Sequence, residues 1–302
     1  MATAYPDDPW TSPSGSDVSP MSVTSHDSLT RIICRQLAPK IADLAANQGL
    51  TCAAIEESIE AGAQVVVLPE LVTSGYVFSS IAEARSVAIT PDHDLLTQWS
   101  ALAAKGSAVV IGGFCEPAPD GGVFNSAAVV DGSGVLAVYR KLHLWDTEKN
   151  VFTPGAEAPP IVDTPFGRIA VIICYDLEFP ELTRSLALRG ADLLAVPTNW
   201  PLVYRPEGER PPEVQIGIAA ARVNRMAIAC CDRIGTERGQ EWTGGTTIIN
   251  ESGWVVSTSG DDNTAIADLD LLLARDKVLT ERAHIFGDRR PEFYGGLVDV
   301  DH

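Results

Sequence analysis

Cysteines, basic residues and long apolar runs are scarce in this sequence, and each shortage excludes a class of protein. The six cysteines include no Cys-x-x-Cys pair, so the sequence indicates neither a disulfide framework nor a cysteine zinc site. No run reaches the roughly 18 apolar residues of a membrane-spanning helix, and the N-terminus lacks the basic and apolar segments of a secretion signal. We therefore expect a cytoplasmic protein with no membrane partner.

The charge balance is strongly acidic. The chain of 302 residues has 22 Lys and Arg against 40 Asp and Glu, which gives a formal net charge of −18. Such a surface repels phosphate backbones, and no basic patch compensates for it, so we expect no nucleic-acid partner. A hydrophobic fraction of 45% with 21% charged residues is typical of a folded globular protein.

Residues 1–28 differ from the rest of the chain in composition. They are rich in Ser, Pro, Asp and Gly and have almost no aliphatic side chains. This composition cannot offset the entropy lost on ordering, and it predicts a disordered N-terminal tail. An arm that orders on contact with a partner is the alternative, and Met21 is an alternative start. We expect residues 29–302 to form a single domain.

From residue 29 onward, apolar runs typical of strands alternate with segments of helical periodicity. The predicted helices are 44–61, 97–105, 181–189 and 214–224. The predicted strands are 31–37, 64–68, 108–114, 126–130, 135–139, 168–173, 193–196, 227–231, 246–250, 253–257 and 264–269. This alternation predicts an α/β protein whose sheets are covered by helices.

Three reactive side chains each follow an apolar strand closely, where loops gather into sites: Glu70, Lys141 and Cys174. A thiol attacks as the thiolate, which a lysine ammonium nearby favours, and a carboxylate can accept and return the proton. Taken singly, each residue also has a structural explanation. The thiol could be inert and buried, the carboxylate could cap a helix or pair with an arginine, and the lysine could lie on the surface.

The order and flanks of these residues resemble the nitrilase superfamily of carbon–nitrogen hydrolases, over roughly residues 31–272. The catalytic Glu, Lys and Cys of that family correspond to Glu70 in LPEL, Lys141 in YRKLHL and Cys174 in ICYDLEFPE. Other matching flanks are Gly112-Gly113, Phe152-Thr153-Pro154-Gly155, Ala221-Arg222-Val223-Asn224 and Gly244-Gly245-Thr246. The resemblance implies a four-layer α-β-β-α sandwich, commonly paired into a homodimer, and a carbon–nitrogen hydrolase domain at residues 29–302.

The resemblance also implies a fourth participant and a mechanism. Family members have a second glutamate between the lysine and the cysteine, and Glu148 occupies that place, with Asp146 as the alternative. Cys174 is then the nucleophile toward an amide carbonyl, and Glu70 transfers the proton. Lys141 and the backbone N–H of Tyr175 stabilise the oxyanion. Neither a metal nor an organic cofactor is needed.

The shared catalytic residues do not by themselves identify the bond that is cleaved. True nitrilases of the family usually have Cys-Trp-Glu at the nucleophile and a longer C-terminus, whereas this chain has Cys174-Tyr175-Asp176. We therefore expect an amidase that converts a small aliphatic or amino-substituted carboxamide to acid and ammonia. The alternatives are an N-carbamoyl amino acid amidohydrolase, in which Arg205 or Arg210 would bind the substrate carboxylate, a nitrilase, and an inactive binding subunit.

Substrate contacts are predicted from segments near the nucleophile. Asn199 and Trp200 follow the next strand and are expected to line the acyl pocket, with Trp200 packing under the loop as its alternative role. The proline-stiffened loop 204–212 is expected at the rim. Asp176 and Glu178 are acidic, and would favour a substrate that carries an ammonium group.

Overall fold

Two six-stranded sheets form the centre of the protein in a computed structural model that describes residues 29–297. The tail predicted at residues 1–28 lies outside the described residues. The helices are α1 (Leu44–Glu60), α2 (Ile81–Ser86), α3 (Asp94–Gly106), α4 (Pro180–Leu188) and α5 (Pro212–Asn224). The strands are β1 (Thr30–Arg35), β2 (Val65–Val67), β3 (Val109–Pro117), β4 (Val123–Asp131), β5 (Gly134–Arg140), β6 (Ile161–Thr164), β7 (Gly167–Val171), β8 (Leu193–Pro197), β9 (Ala227–Cys231), β10 (Thr236–Glu237), β11 (Gln240–Glu241), β12 (Thr247–Ile249), β13 (Val255–Thr258), β14 (Thr264–Leu269), β15 (Val278–Thr280) and β16 (Ala283–His284).

The two large sheets have closely similar topologies. The first has the order β14-β1-β2-β3-β4-β5, and the second has the order β13-β12-β9-β8-β7-β6. In each sheet three neighbouring strands are parallel, namely β1, β2 and β3 in the first and β7, β8 and β9 in the second. The flanking strands pair with them in antiparallel fashion. The C-terminal ends of the parallel strands therefore supply the loops in which a site can form.

Alternation of side chains along the strands builds the layers. In the first sheet Ile32 and Val65 pack in one cluster with the second sheet, whereas Ile33 and Val66 pack in another cluster, which includes buried residues of α1 and α3. The outer face of the second sheet is covered by α4 and α5, which contribute Leu186 among others. The protein is therefore a four-layer α-β-β-α sandwich, which confirms the fold expected from the sequence.

The predicted segments match observed elements, with ends that differ by a few residues. The helix predicted from residue 97 begins at Asp94, because the His93 side chain accepts a hydrogen bond from Leu95 N and caps the helix. The helix α2 and the strands β6, β10, β11, β15 and β16 were not predicted, since each is too short to show a periodicity. Within residues 29–297 no helix is both long enough and apolar enough to cross a membrane.

Candidate active site

Four different segments bring the predicted catalytic residues to one buried place. Glu70 follows β2, Lys141 directly follows β5, and Cys174 opens a 3-10 turn after β7. Glu148 lies in a second 3-10 turn, Asp146–Asn150. Their exposed fractions are only 0%, 1%, 5% and 3%, respectively. The surface location considered for Lys141 is therefore wrong, and among the two acidic residues that follow it, Glu148 is buried while Asp146 is exposed.

A hydrogen-bond network joins the two glutamates through the lysine. Lys141 Nζ donates to Glu70 Oε1 and to Glu148 Oε2, both at 2.7 Å. Asn125 Nδ2 lies within hydrogen-bond distance of Glu70 Oε1 at 2.7 Å and of Glu148 Oε1 at 2.9 Å. Trp145 N donates to Glu148 Oε2 at 2.6 Å. Both oxygens of Glu148 are therefore occupied by donors, and its carboxylate holds Lys141 in place.

Asn125 was not predicted from the sequence as a site residue. The local signal is the adjacent polar pair Asn125 and Ser126 within the mostly apolar strand β4, where burial requires hydrogen-bond partners. Its partner Glu70 lies 55 residues away along the chain, so only the folded structure reveals the pair.

The two oxygens of Glu70 have different surroundings. Oε1 accepts from Lys141 and Asn125, whereas Oε2 is buried and has no hydrogen-bond partner among residues 29–297. Burial raises the pKa of Glu70 to about 7, with a further increase from Glu148 and an opposing effect from Lys141. A carboxyl group with a free oxygen and a pKa near neutrality is suited to proton transfer.

Burial lowers the pKa of Lys141, but the carboxylates of Glu148 and Glu70 outweigh this effect and raise the pKa well above its ordinary value. Lys141 therefore stays an ammonium. The Cys174 thiol behaves differently, because burial and the Glu70 carboxylate raise its pKa well above the ordinary value, and the lowering effect of Lys141 is smaller. Burial, the largest of these effects, favours the neutral thiol in the free protein over the thiolate that the sequence suggested.

The backbone at Cys174 is in the left-handed region, with φ of 48°. A non-glycine residue there costs roughly 1–2 kcal/mol and is held by its surroundings. Asp176 supplies that support, because its carboxylate accepts from Ile173 N at 3.1 Å, His143 N at 3.0 Å and Tyr139 Oη at 2.7 Å. Asp176 is buried and fully engaged, so the prediction that it attracts a substrate ammonium group is wrong.

Asn199 and Trp200 are buried beneath the site. Asn199 Nδ2 donates to the carbonyl oxygen of Glu70 at 3.0 Å. Trp200 packs against Gly245, where an added Cβ would lie 2.9 Å from the indole ring. Neither residue is among those that line the cavity beside Glu148, and their place in the acyl pocket stays a prediction. The contact of Trp200 with Gly245 fits the packing role considered as the alternative. In the rim loop predicted at 204–212, Tyr204 is 93% exposed.

A cavity of about 290 Å³ opens beside the buried network. Glu148 lies in its wall, and aromatic side chains supply much of the remainder: Tyr76, Phe78, Trp145, Phe152 and Trp242. A second cavity of about 430 Å³ is lined by Lys149 and Tyr175 among others. A third of about 820 Å³ lies elsewhere, and it includes none of Glu70, Lys141, Glu148 and Cys174.

Tyr76 is a second site residue that was not predicted from the sequence. Tyr76 lines the same cavity as Glu148. Burial raises the pKa of its phenol well above the ordinary value, and Glu148, Glu70 and Cys174 raise it further. The backbone N–H groups of Tyr76 and Val77 both donate to Glu237 Oε1, at 2.8 and 2.6 Å. Glu237 is paired in turn with buried Arg233 at 3.0 Å. The segment that carries Tyr76 is thus fixed by a buried ion pair.

Among the described residues, no cluster of His, Cys, Asp and Glu side chains could hold a metal ion. The arrangement is instead that of a buried thiol with a proton acceptor, an ammonium group and a second carboxylate. Such a set can carry out nucleophilic attack on a carbonyl carbon with proton transfer.

Comparisons with known proteins agree with this chemistry. The family model described as carbon-nitrogen hydrolase matches residues 31–276. The chain is 34% identical over 270 residues to a nitrilase of Pyrococcus abyssi, covering 88% of this chain and 99% of that protein. It is 31% identical over 269 residues to the deaminated glutathione amidase of Rattus norvegicus, with coverage of 83% and 80%.

A solved structure is similar over most of the fold. It is a mutant of the amidase from Nesterenkonia sp. AN1, in which the acetamide moiety of fluoroacetamide is covalently added at the active site cysteine. The TM-score is 0.69 at 25% identity, covering 88% of this chain and 95% of that chain.

Proposed function

This chain belongs to the carbon–nitrogen hydrolase family, and from that premise we propose that it hydrolyses a small carboxamide to a carboxylic acid and ammonia through a thioester on Cys174. It is a hydrolase acting on carbon–nitrogen bonds. The observation that carries the proposed mechanism is the asymmetry of Glu70. Its Oε1 accepts hydrogen bonds from Lys141 and Asn125. Its Oε2 is buried, has no hydrogen-bond partner among the described residues, and can accept a proton.

Acylation begins with the neutral thiol. Glu70 Oε2 accepts the proton of the Cys174 thiol while the sulfur forms a bond to the carbonyl carbon of the amide. The carbonyl oxygen becomes an oxyanion. Lys141 Nζ has three N–H donors, of which Glu70 and Glu148 engage two, so the third can donate to the oxyanion. The N–H of Tyr175, at the start of a 3-10 turn, is the second donor, and such a contact is worth about 3–4 kcal/mol.

The proton on Glu70 then passes to the amide nitrogen. The carbon–nitrogen bond breaks, ammonia leaves and a thioester remains on Cys174. Glu70, again a carboxylate, takes a proton from water, whose oxygen attacks the thioester carbon. Collapse of this second oxyanion breaks the carbon–sulfur bond, releases the acid and returns the proton to sulfur. The covalent adduct at the active site cysteine of the Nesterenkonia amidase supports a cysteine nucleophile here.

A nitrile is the competing substrate, because the same thiol can add to a nitrile carbon and one relative is named a nitrilase. The test is ammonia release from matched propionamide and propionitrile. We expect propionamide to have the higher kcat/KM. A tenfold preference for propionitrile, equivalent to about 1.4 kcal/mol of transition-state discrimination, would overturn the amidase assignment.

The nucleophile is tested separately by alkylation with iodoacetamide and peptide mapping. We expect inactivation to follow modification of Cys174, which is 5% exposed, and not of Cys230 or Cys231, which are both 0% exposed. Cys52 is less buried than these thiols and could react without consequence, so Cys52→Ala is the matched control and should be inactivated at the wild-type rate. Wild-type turnover by Cys174→Ala would refute the mechanism.

A further inference from the structure

We infer that the acyl part of the substrate occupies the 290 Å³ cavity beside Glu148, and that this cavity accepts uncharged or ammonium-bearing acyl groups and rejects those bearing a carboxylate. The inference rests on the proposed amidase function and adds the substrate class to it. This cavity is called the aromatic pocket, and its walls include Tyr76, Trp145, Glu148 and Trp242.

The aromatic pocket leads to the reacting groups. Glu148 lies both in the pocket wall and in the network with Lys141. Tyr76 shares the pocket wall with Glu148, and Glu148, Glu70 and Cys174 all raise the pKa of its phenol. Trp145 contacts the Tyr175 ring edge-on, with centroids 4.8 Å apart. The 430 Å³ cavity contacts Tyr175 but is not lined by any of Glu70, Lys141, Glu148 and Cys174.

The aromatic side chains in the pocket walls are held in place by their neighbours. The ring of Tyr76 packs edge-on against Trp242, with centroids 5.3 Å apart. The Arg233 guanidinium group lies over the Trp242 ring, 4.7 Å from its centroid. Arg233 is also ion-paired with Glu237, which accepts a hydrogen bond from Tyr76 N and so fixes the backbone of Tyr76. The volume is at the lower end of the range for small-molecule pockets, about 300–1,000 Å³, which suits a short acyl chain.

The charges around the pocket disfavour an anion. Among the residues that the structure describes, those lining the pocket include two acidic side chains, Asp146 and Glu148, and no Lys or Arg. Arg233 is engaged by Glu237, and Arg238 is engaged by Glu83. A substrate carboxylate there would lose water without gaining a cationic partner, which is costly. The aromatic faces and Asp146 tolerate an ammonium group.

The N-carbamoyl amino acid alternative meets the same obstacle. Arg205 and Arg210, which it would need as carboxylate ligands, are exposed and are not among the residues lining the aromatic pocket. Its substrates would therefore bring an unpaired carboxylate to these walls.

The test compares three amides of the same length: pentanamide, 5-aminopentanamide and 5-amino-5-oxopentanoate. Ammonia release is measured for each with the full chain. We expect pentanamide and 5-aminopentanamide each to exceed the carboxylate by at least tenfold in kcat/KM. A carboxylate substrate within tenfold of pentanamide, or better, would overturn the inference and leave the amidase function standing. If the protein hydrolyses none of these three amides and does not hydrolyse propionamide either, the proposed function itself is refuted.

A substitution in the pocket sharpens the test. Gln240 lines the pocket, and Gln240→Arg should raise the ratio of carboxylate to pentanamide turnover at least tenfold by supplying the missing cation. Gln98→Arg adds the same charge on the exposed surface of α3 and should leave the ratio unchanged. An equal change in both variants would contradict the inference. A preference of the wild-type protein for the carboxylate substrate, if it is lost in Lys149→Ala, would also contradict the inference. That result would place the acyl group in the 430 Å³ cavity, which Lys149 lines.

Discussion

Glu70 and Glu148 are chemically identical side chains in different hydrogen-bond surroundings. Both contact Lys141 Nζ at 2.7 Å, yet only Glu70 retains a buried oxygen without a partner among the described residues. Donors occupy both oxygens of Glu148 and fix its carboxylate against Lys141. The proposed proton carrier is therefore Glu70, and Glu148 is a positioning residue that acts through Lys141.

We predict that Glu70→Gln loses at least 10³-fold in kcat, because an amide cannot accept the thiol proton at neutral pH. Glu148→Gln should lose about 10²-fold, because Lys141 keeps its charge but loses one of its two anchors. Steady-state ammonia release checks both. Glu60→Gln, on the surface of α1, is the matched control and should behave as wild type. Normal turnover by Glu148→Gln together with an inactive Asp146→Asn variant would assign the second acidic role to Asp146.

The pH dependence of kcat/KM is predicted from the raised pKa of Glu70. Below a pH of about 7 this group is protonated and cannot accept the thiol proton, so kcat/KM should rise with pH and level off above about 7. The Glu148 carboxylate contributes to the raised pKa of Glu70, so in Glu148→Gln the acidic limb should move to lower pH. An acidic limb unchanged in Glu148→Gln would show that another group titrates there.

At the scale of elements, Gly113 shows how a strand and a loop fit together. Gly113 lies in β3, and an added Cβ would come within 2.2 Å of Leu71 N and 2.6 Å of Glu70 Cα. No side chain fits between β3 and the loop that carries Glu70. The absence of a side chain at position 113 is therefore required for the loop that carries Glu70 to pack against β3.

We predict that Gly113→Ala lowers the free energy of unfolding by about 1–3 kcal/mol, because backbone atoms must move, and reduces kcat by displacing Glu70. Gly49→Ala is the control. Gly49 lies within α1 with no atom within 4 Å of an added Cβ, so the substitution should stabilise the protein by about 0.5–1 kcal/mol. Urea unfolding with parallel ammonia assays measures both. Wild-type activity in Gly113→Ala would mean that the loop has room to adjust.

Much of the fold could be predicted from the sequence, because buried parallel strands such as β8 and β9 are uninterrupted apolar runs between turn residues. The residues Glu70, Lys141, Glu148 and Cys174 came from their flanking motifs. Asn125 and Tyr76 did not, since their importance depends on partners far away in the chain. The contacts of Asn199 with the Glu70 carbonyl oxygen and of Trp200 with Gly245 also depend on distant partners, and the place of both side chains in the acyl pocket stays a prediction.

At the scale of the whole molecule, we propose that the protein assembles as a homodimer through α4, α5 and the C-terminal segment. Large apolar side chains are exposed there, with Leu188 at 41%, Val223 at 48% and Phe293 at 72%. Apolar side chains grouped on a surface are typical of interfaces.

Residues 29–302 are proposed to form one hydrolase domain. Residues 1–28 are proposed to form a tail that neither assembly nor catalysis requires.

Light scattering should therefore give the mass of a dimer or a larger oligomer at micromolar concentration. Leu188→Lys combined with Val223→Lys should shift the protein toward the monomer by placing charges in the interface. Leu136→Lys changes an equally exposed leucine of β5 and is the control. Deletion of residues 1–28 should preserve both mass and activity. A fully active wild-type monomer would refute the proposed dimer.

The pairing of β1 with β14 has a consequence for synthesis of the protein. Thr30 pairs with Leu269 and Arg35 with Thr264, so the outermost strand of the first sheet comes from the far end of the chain. A nascent chain emerging from the ribosome can assemble β1 to β5, but the open side of β1 has no partner until residue 269 has been translated. An uncovered strand edge recruits other chains. Ribosome stalling before this point should therefore yield aggregating products and a strong demand for chaperones.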